Sequence, residues 1–371
     1  MSKIAILTSV HSIFDVRIFH KQAKSLVKAG YDVALLAQHD RNEIVDGVKF
    51  IALPKPRGRF QRMTGLMFRI LRIAIKEKAN VYHFHDPELI PVGLILKFFG
   101  AKVIYDVHEC YPASIRKNEW LPPFMKGIVA SIFDVFERVC YHFFDAVTTA
   151  TEDIARRFRD DKVVIIHNYP VLHYAIDKTD NRSLDESRTV IYVGALSKTR
   201  GIGEIVQSLG YVDGRSKVRL KILGMFTEPD FEEEVRSIEH FSKVDFLGQI
   251  PHEEVYFHLS SADIGLVVLN PTPGYIKSMP VKMFEYMMTG LPVIASNFPL
   301  WKEIVEGNKC GLTVDPMNPQ EIAEAIEYLL ERPELMKKMG ENGRKAVFEK
   351  YNWERESGKL LDSYIRVLTG S

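Results

Sequence analysis

A chain of 371 residues exceeds one ordinary domain and fits two. Its 46% hydrophobic and 26% charged residues exclude a disordered, collagenous or disulfide-stapled protein. Its 49 basic and 48 acidic side chains leave a net charge of +1, which gives no global field to recruit nucleic acid.

The two halves nonetheless differ, at +7 for residues 1–170 and −6 for residues 171–371, as two units in different surroundings would. Cys110, Cys140 and Cys310 are odd in number and lack metal-ligand spacing, so neither a disulfide framework nor a metal site is expected, and a cytoplasmic setting is.

In chain order, the first half reads as strands at Lys3–Ser9, Tyr31–Gln38, Val48–Leu53, Val81–Asp86, Lys102–Glu109, Ala146–Thr151 and Val163–His167. The first of these begins too soon, and its apolar run is too short, for a signal peptide. Helical patterns lie between the strands, including Phe14–Ala29 closed by Gly30. The segment Lys55–Lys76 carries seven basic residues and no acid, with Met63, Met67, Ile70, Leu71 and Ala74 on the side opposite Arg62, Arg69 and Lys76. Such a helix suits either a solvated domain face or an anionic lipid surface, with Trp120–Met125 as added apolar anchors. No apolar run approaches the roughly 20 residues that cross a bilayer.

The polar stretch Lys178–Ser187 divides the chain, and the pattern restarts at Val190–Leu196, Arg219–Gly224, Val244–Gly248, Ile264–Leu269, Pro292–Ser296 and Cys310–Val314. Strands alternating with helices predict an α/β protein of two doubly wound domains, residues 1–175 and 176–371. Helix patterns at Ile322–Leu329 and Glu354–Leu368 follow, the latter able to pack back on the first domain.

Ligands of open parallel sheets bind beyond the strands' carboxyl ends. There the helix starting near Pro280 places Lys282 and Glu285 on one face, an ammonium suited to a diphosphate and a carboxylate suited to a ribose diol. On spacing alone a surface ion pair explains them equally well.

This stretch resembles the donor motif of glycosyltransferase family 4, retaining nucleotide-sugar enzymes of the GT-B fold. Agreeing segments include Asp15–Phe19, His83–Glu88, Tyr105–Glu109, Tyr192–Gly201, Val244–Gly248 and Ser261–Ile264. The resemblance implies two Rossmann-like domains facing each other across a cleft, the first on the acceptor side and the second holding the nucleotide sugar. It implies Glu285 on the ribose, Arg200 and Lys282 on the diphosphate, Gly194 and Met283 beside them, and His108 at the donor sugar. His108, Arg200 and Lys282 are then the catalytic candidates. Asp15, Arg17, Asp86 and Glu109, with His11 and Glu88, are acceptor-side candidates, although carboxylates at strand ends also serve as helix caps and Asp15–Arg17 also reads as a local ion pair.

Two departures stand out: Lys277 occupies the place of the motif's first glutamate, and Ala195 the place of its arginine. The expected partners are a uridine-nucleotide sugar and a glycan or lipid-linked glycan acceptor, with no cofactor and no metal. An anionic inner-membrane surface is expected as a peripheral contact, and nucleic acid is not. A nucleotide-sugar epimerase on the same fold and a catalytically silent partner subunit remain alternatives.

Overall fold

In a computed structural model the described residues are 1–117, 121–158, 161–175, 187–213 and 217–370. Trp120 and most of the expected linker therefore lie outside them. The chain divides into one unit of Met1–Asn168 with Trp353–Ser371 and a second of Tyr169–Asn352.

In the first unit the strands are β1 Lys3–Ser12, β2 Asp32–Gln38, β3 Glu43–Val45, β4 Val48–Leu53, β5 Val81–Phe84, β6 Lys102–Val107, β7 Ala146–Thr149 and β8 Val163–Ile165. They form one sheet in the order β3-β4-β2-β1-β5-β6-β7-β8. All pairs are parallel except the β3–β4 hairpin. Runs such as Ile4–Leu7 and Val33–Ala37 are fully buried, as strands covered on both faces must be.

The expected Phe14–Ala29 helix is wound differently: Val16–Ala23 is a π-helix, and only Lys24–Lys28 is α-helical. Asp15 caps it by accepting from the Arg17 and Ile18 amides. The basic segment is helical from Arg59, π-wound over Arg62–Leu66, and continues as the helix Met67–Glu77, which buries Ile70 and Ala74. The helices Ile90–Phe98 and Pro123–Cys140 follow, the former packed against both of its neighbours. Of the expected apolar anchors, Leu121 is buried in the unit, whereas Phe124 and Met125 are exposed.

The helix Trp353–Thr369 completes this unit by burying Trp353, Glu356, Leu360, Tyr364 and Val367. Trp353 Nε1 donates to Ser25 Oγ at 2.9 Å, and Glu356 accepts from the His167 amide at 2.8 Å.

The second unit contains β9 Arg188–Val193, β10 Val218–Leu223, β11 Val244–Gly248, β12 Ile264–Val267, β13 Val293–Ser296 and β14 Gly311–Val314. These form a wholly parallel sheet in the order β11-β10-β9-β12-β13-β14. Buried clusters line it, one built on Met283, Phe284, Tyr286 and Trp301 and the other on Tyr192, Ile205, Leu220 and Ile326. The sheet reverses its winding beside β9, which is where a doubly wound sheet opens a crevice.

Candidate functional site

The first group of side chains gathers at that reversal in the second unit. The chain leaves β9 through Gly194, whose φ of 131° favours glycine, and a β-carbon there would lie 3.0 Å from Lys282 Nζ. Gly194 thus leaves room for two cations, because Arg200 Nη1 would lie 3.5 Å from the same point. The turn Lys198–Arg200 is fixed by Asn270, whose amide NH donates to Thr199 O and whose Nδ2 donates to Lys198 O. Gly201, at φ 68°, closes the turn where a β-carbon would strike Val268 O.

Lys282 and Glu285 project from the helix Val281–Met288, which follows Pro280 and ends before Gly290 at φ 76°. Trp301 Nε1 braces its approach by donating to Ser278 O at 2.7 Å. Lys282 is 8% exposed, and its Nζ has no hydrogen-bond partner. The Nζ instead lies 3.7 Å from the centre of the Tyr192 ring. Burial, reinforced by Arg200, holds its pKa well below the usual lysine value, while Glu285 pulls the other way. Burial also pushes the Tyr192 hydroxyl up to about 12.

Glu285 accepts from Tyr256 Oη at 3.2 Å, and the Tyr256 ring stacks on Tyr174. A buried cation without a hydrogen-bond acceptor is costly unless an anion completes it. Met283 differs from its expected place beside the nucleotide: its side chain is fully buried in the core, so it supports the helix from within.

In the first unit, a cavity of about 300 Å³ opens at the carboxyl ends of β1, β5 and β6. Among its lining residues are His11, Asp86, Glu88, His108 and Glu109, so five of the candidates meet there. The His11 and His108 rings meet edge to face at 5.1 Å. Burial lowers the His108 pKa to about 4, leaving a neutral imidazole. Asp15 sits beside this group, 3.4 Å from His11 Nδ1. Although burial opposes ionisation, hydrogen bonds from His11 and the Ile18 amide hold its carboxyl at about 2.

Asp86 is chiefly a brace. Its Oδ2 accepts from Thr8 Oγ1, Ser9 Oγ and the Ser9 and Val10 amides, which fixes the end of β1. Glu109 is exposed. Arg62 and Tyr111 also line the cavity, Arg62 Nε lying 2.7 Å from Glu88 Oε1. Sequence reasoning missed both, because Arg62 read as one charge of a basic helix and no pattern singled out Tyr111.

Arg17 does not pair with the side chain of Asp15. It reaches Asp106, donating from Nε and Nη2 to the two carboxylate oxygens at 2.9 Å each, and from Nη1 to Ile166 O. Gln22 donates to the same carboxylate at 2.6 Å. Burial opposes the Asp106 charge, but Arg17 and His85 hold its pKa well below the usual value. Arg17 is therefore a strut between the π-helix and β6, its guanidinium taken up by Asp106 and Ile166 O.

Among the described residues, His83, His85 and Asp106 are also close enough together to hold a metal ion, a grouping their spacing did not disclose. The chemistry of that set is already committed: Asp106 is neutralised by a guanidinium, and His83 Nδ1 lies 2.7 Å from Tyr364 Oη. A divalent cation there would stand against Arg17.

The described residues contain no helix long and apolar enough to cross a membrane.

Residues 16–173 match the family model described as "Glycosyl transferase 4-like domain", and residues 175–346 match "Glycosyl transferases group 1". An uncharacterized glycosyltransferase of Methanocaldococcus jannaschii is 25% identical over 183 residues, 48% of this chain and 45% of that protein. The chain thus spans about half the length of such curated relatives. The fold is that of sucrose-phosphate synthase from Thermosynechococcus elongatus, at a TM-score of 0.80 and 21% identity with both chains fully covered. It is also that of Anabaena HepE in complex with UDP-glucose, at a TM-score of 0.74 and 13% identity over 98% of this chain and 99% of that one. With its two halves matched in order by the two family models, and with the fold they imply, the chain belongs to the GT-B glycosyltransferases of the family 4 type.

Proposed function

We propose that the protein is a retaining glycosyltransferase that moves a sugar from a nucleoside diphosphate sugar, a uridine nucleotide by preference, to a glycan or lipid-linked glycan acceptor in surface polysaccharide or glycoconjugate assembly. The observation that carries this reading is Lys282: a buried amine lacking a hydrogen-bond acceptor, beside Arg200 and one helical turn from Glu285. A diphosphate supplies the missing anion, and Glu285 accepts from the ribose hydroxyls. The uridine preference is supported by likeness in fold to HepE, which was solved in complex with UDP-glucose.

As the bond to the diphosphate breaks, negative charge grows on the leaving group, and Arg200 and Lys282 stabilise it without a metal. His108, neutral at physiological pH, donates to or accepts from a hydroxyl of the donor sugar. The acidic cavity beside it takes the acceptor's hydroxyls. The acceptor attacks from the face the diphosphate leaves, and the departing phosphate takes its proton. The basic segment Lys55–Lys76 draws the protein to anionic lipid on the inner face of the membrane, where lipid-linked acceptors reside.

Product analysis tests the core of this proposal. NMR of the glycoside formed from a UDP-sugar should show the anomer of the donor, and turnover should survive EDTA. An inverted anomer, or activity lost to chelator and restored by manganese, would overturn it.

A further inference from the structure

A surface helix ordinarily turns its apolar side inward, and Pro123–Cys140 does the reverse. Its buried positions are Ala130, Glu137 and Cys140, and Glu137 accepts there from Tyr105 Oη while pairing with Arg157. Its outer side carries Phe124, Ile128, Ile132, Val135 and Val139, spaced three or four residues apart and each more than half exposed. Met125 and Phe136 flank this stripe, and Phe143 prolongs it. The neighbouring helix Ile90–Phe98 ends in Phe98 and Phe99, which are 87% and 69% exposed. Beyond it, the basic segment exposes Phe60, Met63, Phe68 and Ile75. Three adjacent helices thus turn apolar groups outward, on a scale that marks an interaction surface.

The charge of this layer is net positive, and its acids, Glu77, Asp134 and Glu137, are each paired with a base or buried. Lys55–Lys76 contains no acid, and Arg69, Arg72 and Lys76 are exposed. In Pro123–Cys140, Glu137 is buried, and Asp134 is bound by both Arg138 and Arg157. A second copy of the chain would set cation against cation, whereas an anionic bilayer complements both features at once. We propose that this layer is a membrane-seating surface. The stripe from Phe124 to Val139 enters the boundary between headgroups and acyl chains, and the arginines of the basic segment hold the anionic headgroups. This deepens the membrane part of the function proposed above by naming the element that inserts, and it rests on that part alone.

Vesicle sedimentation of the full chain tests it, with phosphatidylglycerol-containing and pure phosphatidylcholine vesicles, at low salt and at ~1 M salt, where charge attraction reaches only about 3 Å. The wild type should bind the anionic vesicles and keep a fraction bound at high salt. Ile132→Asp with Val135→Asp should remove that salt-resistant fraction, lowering partitioning by about tenfold or more, and Arg69→Ala with Arg72→Ala should weaken only the low-salt binding. All four positions are exposed, and unchanged circular dichroism would establish that the variants fold. The inference is overturned if the Asp variant partitions like the wild type, if the wild type binds neither vesicle, or if sedimentation velocity finds a dimer that the Asp variant turns into monomer. UDP release with a water-soluble acceptor, measured in parallel, separates the two readings: a wild type that transfers sugar but binds neither vesicle defeats this inference alone, and a wild type that binds anionic vesicles but transfers nothing defeats the transferase reading alone.

Discussion

Lys282 is held in a state that suits it poorly until a ligand arrives. Because burial and Arg200 depress its pKa, an incoming diphosphate should raise that pKa and draw a proton from solution. Calorimetry of UDP binding in buffers of different ionisation enthalpy should therefore report proton uptake, lost in Lys282→Met. Glu285→Ala should weaken binding by about 1.5–3 kcal/mol, the ordinary worth of a hydrogen bond to a charged group, and unchanged affinity would remove Glu285 from the ribose. His83 and His108 act on stability in the same way as each other. Burial lowers their values to about 3 and about 4 from the ordinary 6.5. As pH falls below 6.5 the unfolded chain binds protons that the folded chain refuses, so their effect is nil above that pH and destabilising below it. Chemical denaturation repeated from neutral pH down toward 4 should show the loss, and replacing His83 by Gln should flatten it.

At the scale of elements, the strut between the π-helix and β6 is where a single change does most harm. Arg17→Met leaves Asp106 charged, fully buried and short of its main partner, and should lower unfolding free energy by about 3–5 kcal/mol. Thermal and urea unfolding would measure it, and a loss under 1 kcal/mol would deny the strut its role. Much of this level was legible in the sequence. The bounds of Val48–Leu53 and of the edge strand Val244–Gly248 match the expected ones, because β-branched and aromatic residues set between turn formers mark a strand even where it is only partly covered. Glu43–Val45 went unread, because its pairing with β4 depends on a partner and its own three residues hold no pattern. The π winding of Val16–Ala23 went unread for a related reason: Arg17, Lys21 and Gln22 look like a solvent face until their partners Asp106 and Asn168 are known. Lys282, Glu285 and Arg200 were legible as chemistry, and the meeting of Arg200 and Lys282 beside Gly194 came from the family resemblance alone, because contacts between distant segments leave no local trace. The outward stripe of Pro123–Cys140 has the same periodicity as a buried one, and only the fold says which way it faces.

For the whole molecule, the two units differ in how their chain is assembled. Tyr169–Asn352 is one uninterrupted stretch with its own sheet and its own buried clusters. Expressed alone, it should fold and bind UDP with the affinity of the full protein, as a thermal shift would show. Met1–Asn168 draws its missing wall from Trp353–Thr369. Removing residues 353–371 should strip the His167 amide of its Glu356 acceptor and uncover the side of His83 that faces Tyr364, so the first unit should melt at lower temperature while the second keeps its own transition. A calorimetric scan showing both transitions unmoved would refute this dependence.

That discontinuity also orders events in time. As the chain emerges from the ribosome at about 5–20 residues per second, the residues of the first unit come out first yet lack the helix that closes them. The later stretch up to Asn352 has everything it needs as soon as it emerges. The half of the protein made earlier is thus finished later. Between those moments the helper proteins of the cell would meet an open sheet with His83 of β5 and the side chains of β8 uncovered. A message cut short before codon 353 would yield a chain able to grip a nucleotide but never to complete its other half, and proteolysis would find it there.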